Sequence, residues 1–579
     1  MSVAELVPSS AQRISDPEGS VLQGRSLRER SYRMRRDGVG MVLPDILRAR
    51  GIERPEEFLE ASLKGIPDPF VLKDMDVACS RLADAIMRRE RILVFGDYDV
   101  DGACSSAILH RFVEMVGGSC TAYIPDRFED GYGPSLSALA KCSPSDFDLV
   151  VFVDCGTASG EIIDGLRTDV IVVDHHKQQG DLPQVVACVN PHRLDDDSGL
   201  DMVCAAGLVF MLCVATRRTL RARGFFMDGQ PDLRDLLDLA ALATVSDVVP
   251  LVGLSRILVA SGLEAMRRGP SVGVSALMSA AGVEEPSAGR IGFGLGPRIN
   301  AAGRVGGGTS SSEGALGFEL LSCRDANRAA EIASRLNELN AERQAVEKKV
   351  LDEAMEQAAV QAEAGAQILC LRSEGWHQGV IGIVAGRVRE KFGIPAIVAA
   401  VENGNAKGSG RSVPGFDLGG LVIEARSRGL LAGGGGHSMA CGLSLPVADW
   451  DKFVAFAEAH AAWSDVPIAV DCIESISDVS MEAVSELDLL EPVGQGNPSP
   501  VAVFTEFHVK AVKPFGKGHV RLLSRRSDVE ALFWRAEDDG ILADLEGLLG
   551  STVSLVGVAR VDEWQGRRKI SINASDIIF

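Results

Sequence analysis

Three short apolar runs, each followed at once by an aspartate, constrain this chain more than any other feature. Residues 91–96 (RILVFG) lead into Asp97, residues 149–153 (LVVFV) into Asp154, and residues 170–173 (VIVV) into Asp174. Runs this short and continuous have strand length, and helical stretches separate them. They predict buried strands of a parallel sheet with crossover helices, an α/β fold. Ligands of such sheets sit beyond the carboxyl ends of the strands. Three strands delivering aspartate to that edge is a functional signal in itself.

Length extends this picture. With 579 residues the chain has room for about three to five domains. Residues 1–40 are polar and read as poorly ordered; from Leu43 to Glu90 the pattern is helical, with a turn at Pro67 and Pro69. Residues 233–245 read as a helix leading into Ser246-Asp247. From Arg324 to about Ala364 strong helix formers run on without Gly or Pro. That helix would span about 60 Å and reads as a spacer between domains. Residues 367–446 open a second, glycine-rich α/β unit. Beyond residue 467, short alternating segments suggest a small antiparallel barrel. The expected boundaries are an N-terminal segment 1–75, a catalytic domain 76–322, a connecting helix 323–364, a second α/β domain 365–466 and a barrel domain 467–579.

Composition excludes several classes. Lys and Arg number 59 against 80 Asp and Glu, a net charge of −21, which argues against a protein that coats nucleic acid generically. The imbalance is uneven: residues 505–579 carry 11 basic and 11 acidic residues, so the barrel is the part least repelled by a polyanion. No apolar run approaches the ~20 residues of a membrane helix, and the N-terminus has no apolar signal core. The arginines from Arg25 to Arg36 follow Glu5, Asp16 and Glu18, which disfavours a transit peptide. Twelve cysteines, none in Cys-x-x-Cys spacing, read as buried thiols of a reducing cytoplasm.

The chemistry starts at GDYDVDG. Asp97, Asp99 and Asp101 repel one another unless cations neutralise them. In Asp-x-Asp both side chains can point the same way from an extended segment, and Gly102 lets the chain turn at once. A solvated acidic turn is the bland alternative; a calcium loop fails because its closing position is Ile108. Asp154 alone could equally cap a helix. Asp174, His175 and His176 are more specific, because imidazoles are scarce here: the chain has 9 His. Asp247 alone would pass for a turn residue. Together, several carboxylates with one imidazole suit two hard or borderline divalent cations, manganese above zinc. Such a pair activates water and stabilises both oxygens of an in-line phosphoryl displacement.

These residues resemble the DHH phosphoesterase superfamily: DYDVDG, Asp154, the Asp-His-His triplet and SDVVPL (246–251). PDRFEDGYG (125–133), CAAG (204–207), GPRINAAGR (296–304), GWHQGVIGIVAGRV (375–388), GSGRSVPGFDL (408–418) and GGGGHSMACG (433–442) are similar, within it, to the RecJ family of bacterial single-stranded-DNA exonucleases. The likeness runs from about residue 40 to the last residues. Gly410 and Pro134 depart from the usual pattern. The resemblance implies a DHH domain, a long connecting helix, a DHHA1 domain and an oligonucleotide-binding barrel. It implies 5′-to-3′ hydrolysis of single-stranded DNA to mononucleotides, in repair and recombination, with two Mn2+ or Mg2+ ions.

Carried over, Asp97, Asp99, Asp154, His175 and Asp247 are metal ligands, with Asp154 bridging. Asp174 holds the histidine ligand, His176 contacts the scissile phosphate, and Asp101 joins the catalytic set. Arg127, Tyr132, Arg304, Ser409, Arg411 and His437 match the positions that grip phosphate and strand, and the arginine fork suits that task. A monomer in the cytoplasm is expected, with a single-strand-binding protein and a helicase as partners and no membrane. A narrow internal cleft inside an acidic exterior reconciles the net charge with a DNA substrate. Two rivals are a DHH phosphodiesterase of short oligoribonucleotides or cyclic dinucleotides, and a non-catalytic DHH scaffold. The barrel and long helix speak against the first, the complete ligand set against the second.

Overall fold

The computed structural model describes residues 18–579 apart from 128, 132, 179, 228, 306–312, 465, 526 and 565. After strand β1 (Tyr32–Met34) and the helices Leu43–Ala49, Pro55–Glu60 and Met75–Arg88, the chain enters a five-stranded sheet. Its strands are β2 (Ile92–Phe95), β3 (Cys120–Tyr123), β4 (Leu149–Val153), β5 (Asp169–Val173) and β6 (Ala187–Val189). They lie in the order β3-β2-β4-β5-β6, all parallel. All residues of β2 and β4 are buried, which is why both read as unbroken apolar runs rather than alternating ones. Helices Val100–Met115 and Ala205–Ala222 cover one face and Leu136–Cys142 the other. From β2 the chain goes first to one side and then to the other, so the order reverses between β2 and β4. That switch point opens a crevice at the carboxyl edge, and Asp97 and Asp154 stand at its two lips.

The helix Ala326–Glu363 has 38 residues, about 57 Å of length. Ala329, Ile332, Leu336 and Leu339 of its first half belong to the core of the first domain. Val350, Ala354 and Ala358 of its second half belong to the core of the next. The helix is therefore a shared wall as well as a spacer. The second domain holds β7 (Leu369–Glu374), β8 (Ala396–Glu402), β9 (Asn405–Arg411), β10 (Gly433–His437) and β11 (Ala440–Pro446), in the order β10-β11-β9-β8-β7. Only β7 and β8 pair in parallel.

The last unit contains β12 (Ile468–Val470), β13 (Cys472–Ser475), β14 (Ala502–Phe515), β15 (His519–Ser524), β16 (Glu530–Phe533), β17 (Thr552–Trp564) and β18 (Arg567–Ile578). Strands β14, β15, β16, β18 and β17 close into a five-stranded barrel through the pairing of β14 with β17. The barrel departs from the antiparallel expectation at one seam, because β16 and β18 run parallel. The cause is connectivity: β17 and β18 form a hairpin, and closure brings the second arm of that hairpin alongside β16.

The N-terminal segment also departs from expectation. Residues 1–17 lie outside the described residues, but residues 18–40 are built onto the barrel. Strand β1 pairs in parallel with β12. The Tyr32 hydroxyl donates to Asp576 Oδ2 at 2.7 Å, Ser26 Oγ donates to the same oxygen, and the Arg28 amide donates to Asp576 Oδ1 at 3.1 Å. Asp576 is completely buried, and a buried carboxylate needs donors. The segment is polar because its hydroxyl and amide groups satisfy the barrel, not because it is unstructured. Leu43, Ile46, Leu47 and Phe58 likewise share one core with Phe504, Phe507 and Phe533 of the barrel.

Candidate active site

Beyond Phe95 the chain turns through Gly96 into the acidic loop. Asp99 starts the helix Val100–Met115, its side chain accepting from the Asp101 and Gly102 amides at 2.9 and 3.1 Å. Gly102 has no alternative: a Cβ there would lie 2.4 Å from the Asp97 carbonyl oxygen. The Val100 amide donates to the side-chain oxygen of Asn300 at 3.2 Å, which fixes the loop to the helix Gly296–Val305. Asp101 faces a different way. Its two oxygens accept from the Ala205 and Ala206 amides, both at 2.8 Å, so it caps the helix Ala205–Ala222 and explains why CAAG stands there.

Asp154 leaves β4 in the left-handed conformation, φ 61°. A non-glycine residue there carries about 1–3 kcal/mol of strain, less for Asp than for most. The buried side chain stays close to His175, whose Nε2 lies 3.5 Å from Asp154 Oδ1 and 3.7 Å from both Asp101 Oδ2 and Asp247 Oδ2. These separations exceed hydrogen-bond length, yet suit donors that share an ion. Asp97, Asp99 and Asp154 form one set of donor atoms within 4.8 Å of one another; Asp101, His175 and Asp247 form another, and Asp154 also groups with both histidines. Asp97 Oδ1 is buried without a hydrogen-bond partner among the described residues, an expensive condition that a cation relieves.

Electrostatics agree. Burial, and then the charge of Asp99, push the Asp97 carboxyl well up. Burial and then Asp101 do the same for Asp154. Asp101 is pushed up to about 7 by burial and Asp99, and Asp247 to about 9 by burial and Asp101. His175 is lowered to about 4 by burial and by the charge of His176, which keeps its ring neutral and able to ligate. This is a crowded carboxylate cluster with one neutral imidazole, a donor set that fits hard or borderline divalent cations.

Asp174 does something other than expected. Its Oδ1 lies 2.8 Å from His176 Nδ1 and accepts the backbone amides of His175 and His176, while Oδ2 accepts the Thr157 amide at 3.0 Å. The ring it orients is therefore His176, not His175; the turn after β5 points the second imidazole back over the carboxylate. Burial raises the Asp174 pKa, but the bond and charge of His176 outweigh it and hold the carboxyl below its ordinary range. Burial lowers the His176 pKa, and Asp174 reverses this, raising it to about 9.

Arg127 stacks over the Tyr98 ring at 5.5 Å, and Gly303, beside Arg304, packs on that ring. Arg304 donates to the Gly379 carbonyl at 3.2 Å, across to the second domain. A Cβ on Gly379 would sit 2.2 Å from the Arg304 carbonyl oxygen. Burial, then Arg127 and Arg343, push the Arg304 pKa down to about 10. Arg411 donates to Ser409 Oγ at 3.2 Å. Arg304, Arg343, Arg411 and Arg535 all line one cleft of about 890 Å³ between the two α/β domains, the long helix and the barrel. His437, at the end of β10, is exposed and feels the charges of Lys177, His176 and His192, which puts it opposite the Asp-His-His loop. Tyr132 lies outside the described residues.

Family models for the DHH family N-terminal domain, the DHHA1 domain and the RecJ OB domain match residues 91–244, 365–462 and 470–576. The single-stranded-DNA-specific exonuclease RecJ of Dickeya dadantii is 34% identical over 93% of this chain and 96% of its own length. The chain belongs to the RecJ family. The Escherichia coli RecJ is 32% identical over 92% of this chain and 96% of its own. A crystal structure of RecJ in complex with Mn2+ from Thermus thermophilus superposes with TM-score 0.78 at 30% identity, covering 93% of this chain and 76% of that one. The RecJ-type architecture expected from the motifs is thus the architecture observed.

Several residues of this RecJ-family site escape a motif reading. Asn190, after β6, donates to Thr157 Oγ1 at 2.8 Å and to the His176 carbonyl at 2.9 Å. His192 Nδ1 meets the His175 carbonyl oxygen. Asn190-Pro191-His192 is a fourth polar strand end, and that was its only signal. Tyr98 was hidden inside the acidic motif, and Arg343 inside the long helix.

Proposed function

We propose that this protein is a metal-dependent exonuclease that hydrolyses single-stranded DNA from its 5′ end to mononucleotides, in DNA repair and recombination. The observation that carries this reading is the sharing of Asp154 between two donor sets, with Arg304 of the arginine-lined cleft feeling the charge of Asp99. Asp97, Asp99, Asp154, His175 and Asp247 would hold two Mn2+ or Mg2+ ions, Asp154 lying between them. Bound there, such ions supply an activated water and charge stabilisation at phosphorus. Asp101 acts through the helix it caps and through its nearness to His175. His176, kept protonated by Asp174 near neutral pH, presents positive charge toward the scissile phosphate, and Asp174 is a positioning residue. Arg127, Arg304, Ser409, Arg411 and His437 hold the strand. Tyr132 belongs to the same motif as Arg127 and is assigned with it.

The proposed units are residues 76–322 for catalysis, 323–364 as connector, 365–466 for strand grip and 467–579 for the barrel, which residues 18–75 complete. A cytoplasmic monomer served by a helicase and a single-strand-binding protein completes the proposal. Among the described residues no helix is long and apolar enough to cross a membrane. Strands labelled at either end, incubated with manganese and wild type or Asp154→Ala, test the reading. The expected result is labelled mononucleotide released first from the 5′ end, and none with the variant. Cleavage restricted to very short RNA, or binding without turnover, would overturn it.

A further inference from the structure

The turn that carries Asp247 is strained, and it is held from outside its own domain. Asp247 ends the helix Leu237–Ser246. The next residue, Val248, is left-handed at φ 61°, a conformation that a β-branched residue keeps only under constraint. Val248 is 64% exposed, so packing of its own side chain does not supply that constraint. Residues 489–497, just ahead of β14, do. The Leu251 amide donates to the Gln495 carbonyl at 2.7 Å. Gly496, left-handed at φ 69°, lies so close that an added Cβ would stand 2.6 Å from the Pro250 Cβ.

The helix Gly253–Arg268 that follows the turn is pinned to the same segment. Its Arg256, 2% exposed, donates to the carbonyls of Leu490, Glu491 and Pro492 at 2.8, 3.0 and 3.2 Å. The guanidinium fork is rigid enough to fix such a group of acceptors in place. The segment is anchored in turn on the barrel side. Asn497, fully buried, closes the loop by donating to the Leu490 and Pro492 carbonyls at 2.9 and 3.0 Å. Arg50 donates to the Pro498 carbonyl at 2.9 Å and pairs with Asp471, next to β13, at 2.7 Å. The run EPVGQGNP (491–498) is far in sequence from the acidic motifs, yet it reaches the turn that carries one of their partners.

We infer that residues 489–497 are a brace that sets the position of Asp247 for its metal ion, with Arg256 and Gly496 as positioning residues. The inference rests on the metal-ion reading of the site and deepens it. Asp97, Asp154 and His175 follow strands that the sheet itself aligns, whereas Asp247 hangs on a strained turn after a helix. A ligand side chain works only within about 0.5 Å of its place, and the brace supplies that precision. Docking of the barrel side and metal affinity are thereby linked, each favouring the other.

The test titrates the metal-free full chain with Mn2+ alone and reads the free ion by electron paramagnetic resonance. Gly496→Ala pushes the brace against Pro250. Gly550→Ala is the control: Gly550 is also left-handed, φ 85°, and its added Cβ meets open space among the described residues. Backbone strain is thus matched and the push is absent. Wild type and Gly550→Ala should bind two ions alike, and Gly496→Ala should bind one of them about tenfold or more weakly. In an Asp247→Asn background Gly496→Ala should add nothing further, since both act on one ligand. Equal Mn2+ binding by the two glycine variants, or a loss that adds fully to that of Asp247→Asn, would overturn the brace and leave the exonuclease reading standing. Should Gly496→Ala fail to fold, Arg256→Lys, which keeps the charge without the fork, takes its place; wild-type Mn2+ binding in that variant would equally overturn the brace. A wild type that binds no Mn2+ at all would overturn the metal site and the brace together.

Discussion

The acidic cluster takes Asp97, Asp154, Asp174 and His175 from the ends of three adjacent strands of one sheet. The cationic cleft takes Arg304 from the first domain, Arg343 from the connecting helix, Arg411 from the second domain and Arg535 from the barrel. The first site is a property of one fold and forms when that fold forms. The second is a property of an arrangement and exists only when four units are docked. Charge follows the same division. The cluster is a concentration of like charge that the protein holds against its own repulsion, whereas burial, Arg127 and Arg343 lower Arg304 only to about 10, so it stays charged at neutral pH.

The comparison is broken hardest at Asp97. Asp97→Asn removes a carboxylate whose Oδ1 has no partner among the described residues. Turnover should fall well beyond the ~10²-fold typical of outer-sphere changes, while thermal unfolding of the metal-free protein shifts upward because repulsion is relieved. An unchanged or lower Tm with lost activity would show that the cluster is not strained. Asp174→Asn should cost about 10–100-fold in kcat/KM. It should also move the alkaline limb of the pH profile downward, since Asp174 is what holds the His176 pKa up at about 9. A profile that loses height without moving would separate Asp174 from His176.

Arg411→Ala and Arg304→Ala should weaken single-strand binding about tenfold each and lower the salt slope by ~0.7 per lost phosphate contact. Here no rise in metal-free stability is expected, which sharpens the contrast with Asp97→Asn. A titration of Tm with pH addresses the cluster alone. Asp101 and Asp247 are raised to about 7 and about 9 by burial and neighbouring carboxylates, and His176 to about 9. Each native group then binds protons that the unfolded chain has released, so metal-free stability should fall from about pH 6.5 to 9. The opposite contribution of His175, lowered to about 4, is complete by the bottom of that window. Manganese should flatten the fall; a metal-free protein with constant Tm across the window would contradict the crowding. The smallest effect is expected far from both sites: Tyr32→Phe should cost about 1 kcal/mol of stability, read by denaturant titration, with turnover unchanged.

The same division explains what could be read in advance. Strand runs and the aspartates behind them are local, so the parallel sheet, the long helix and the grouping of Asp97, Asp99, Asp154, His175 and Asp247 were legible from periodicity and motif. What was not legible depends on contacts distant in sequence. Asp174 chooses the ring of His176 because of how the turn after β5 folds back. Residues 18–40 looked unstructured because their polar groups serve Asp576, more than 500 positions away. The parallel seam between β16 and β18 is set by barrel closure, which no alternating pattern encodes. Asn190 and His192 support the Asp-His-His loop through backbone carbonyls, an interaction blind to the side chain that it supports.

Asp576 has a consequence in time. Its partner Ser26 precedes it by 550 residues. At ribosomal speeds of about 5–20 residues per second, roughly half a minute to two minutes separates the synthesis of the two. Through that interval Tyr32 and the core residues Leu43, Ile46 and Phe58 have been made and their barrel partners have not. The sheet that carries the carboxylate cluster can fold meanwhile, but the barrel waits for its earliest and latest segments to meet. A nascent chain of this kind is half finished in an unusual sense: the catalytic domain matures in the middle while both flanks stay open, each exposing the apolar surface that only the other can cover.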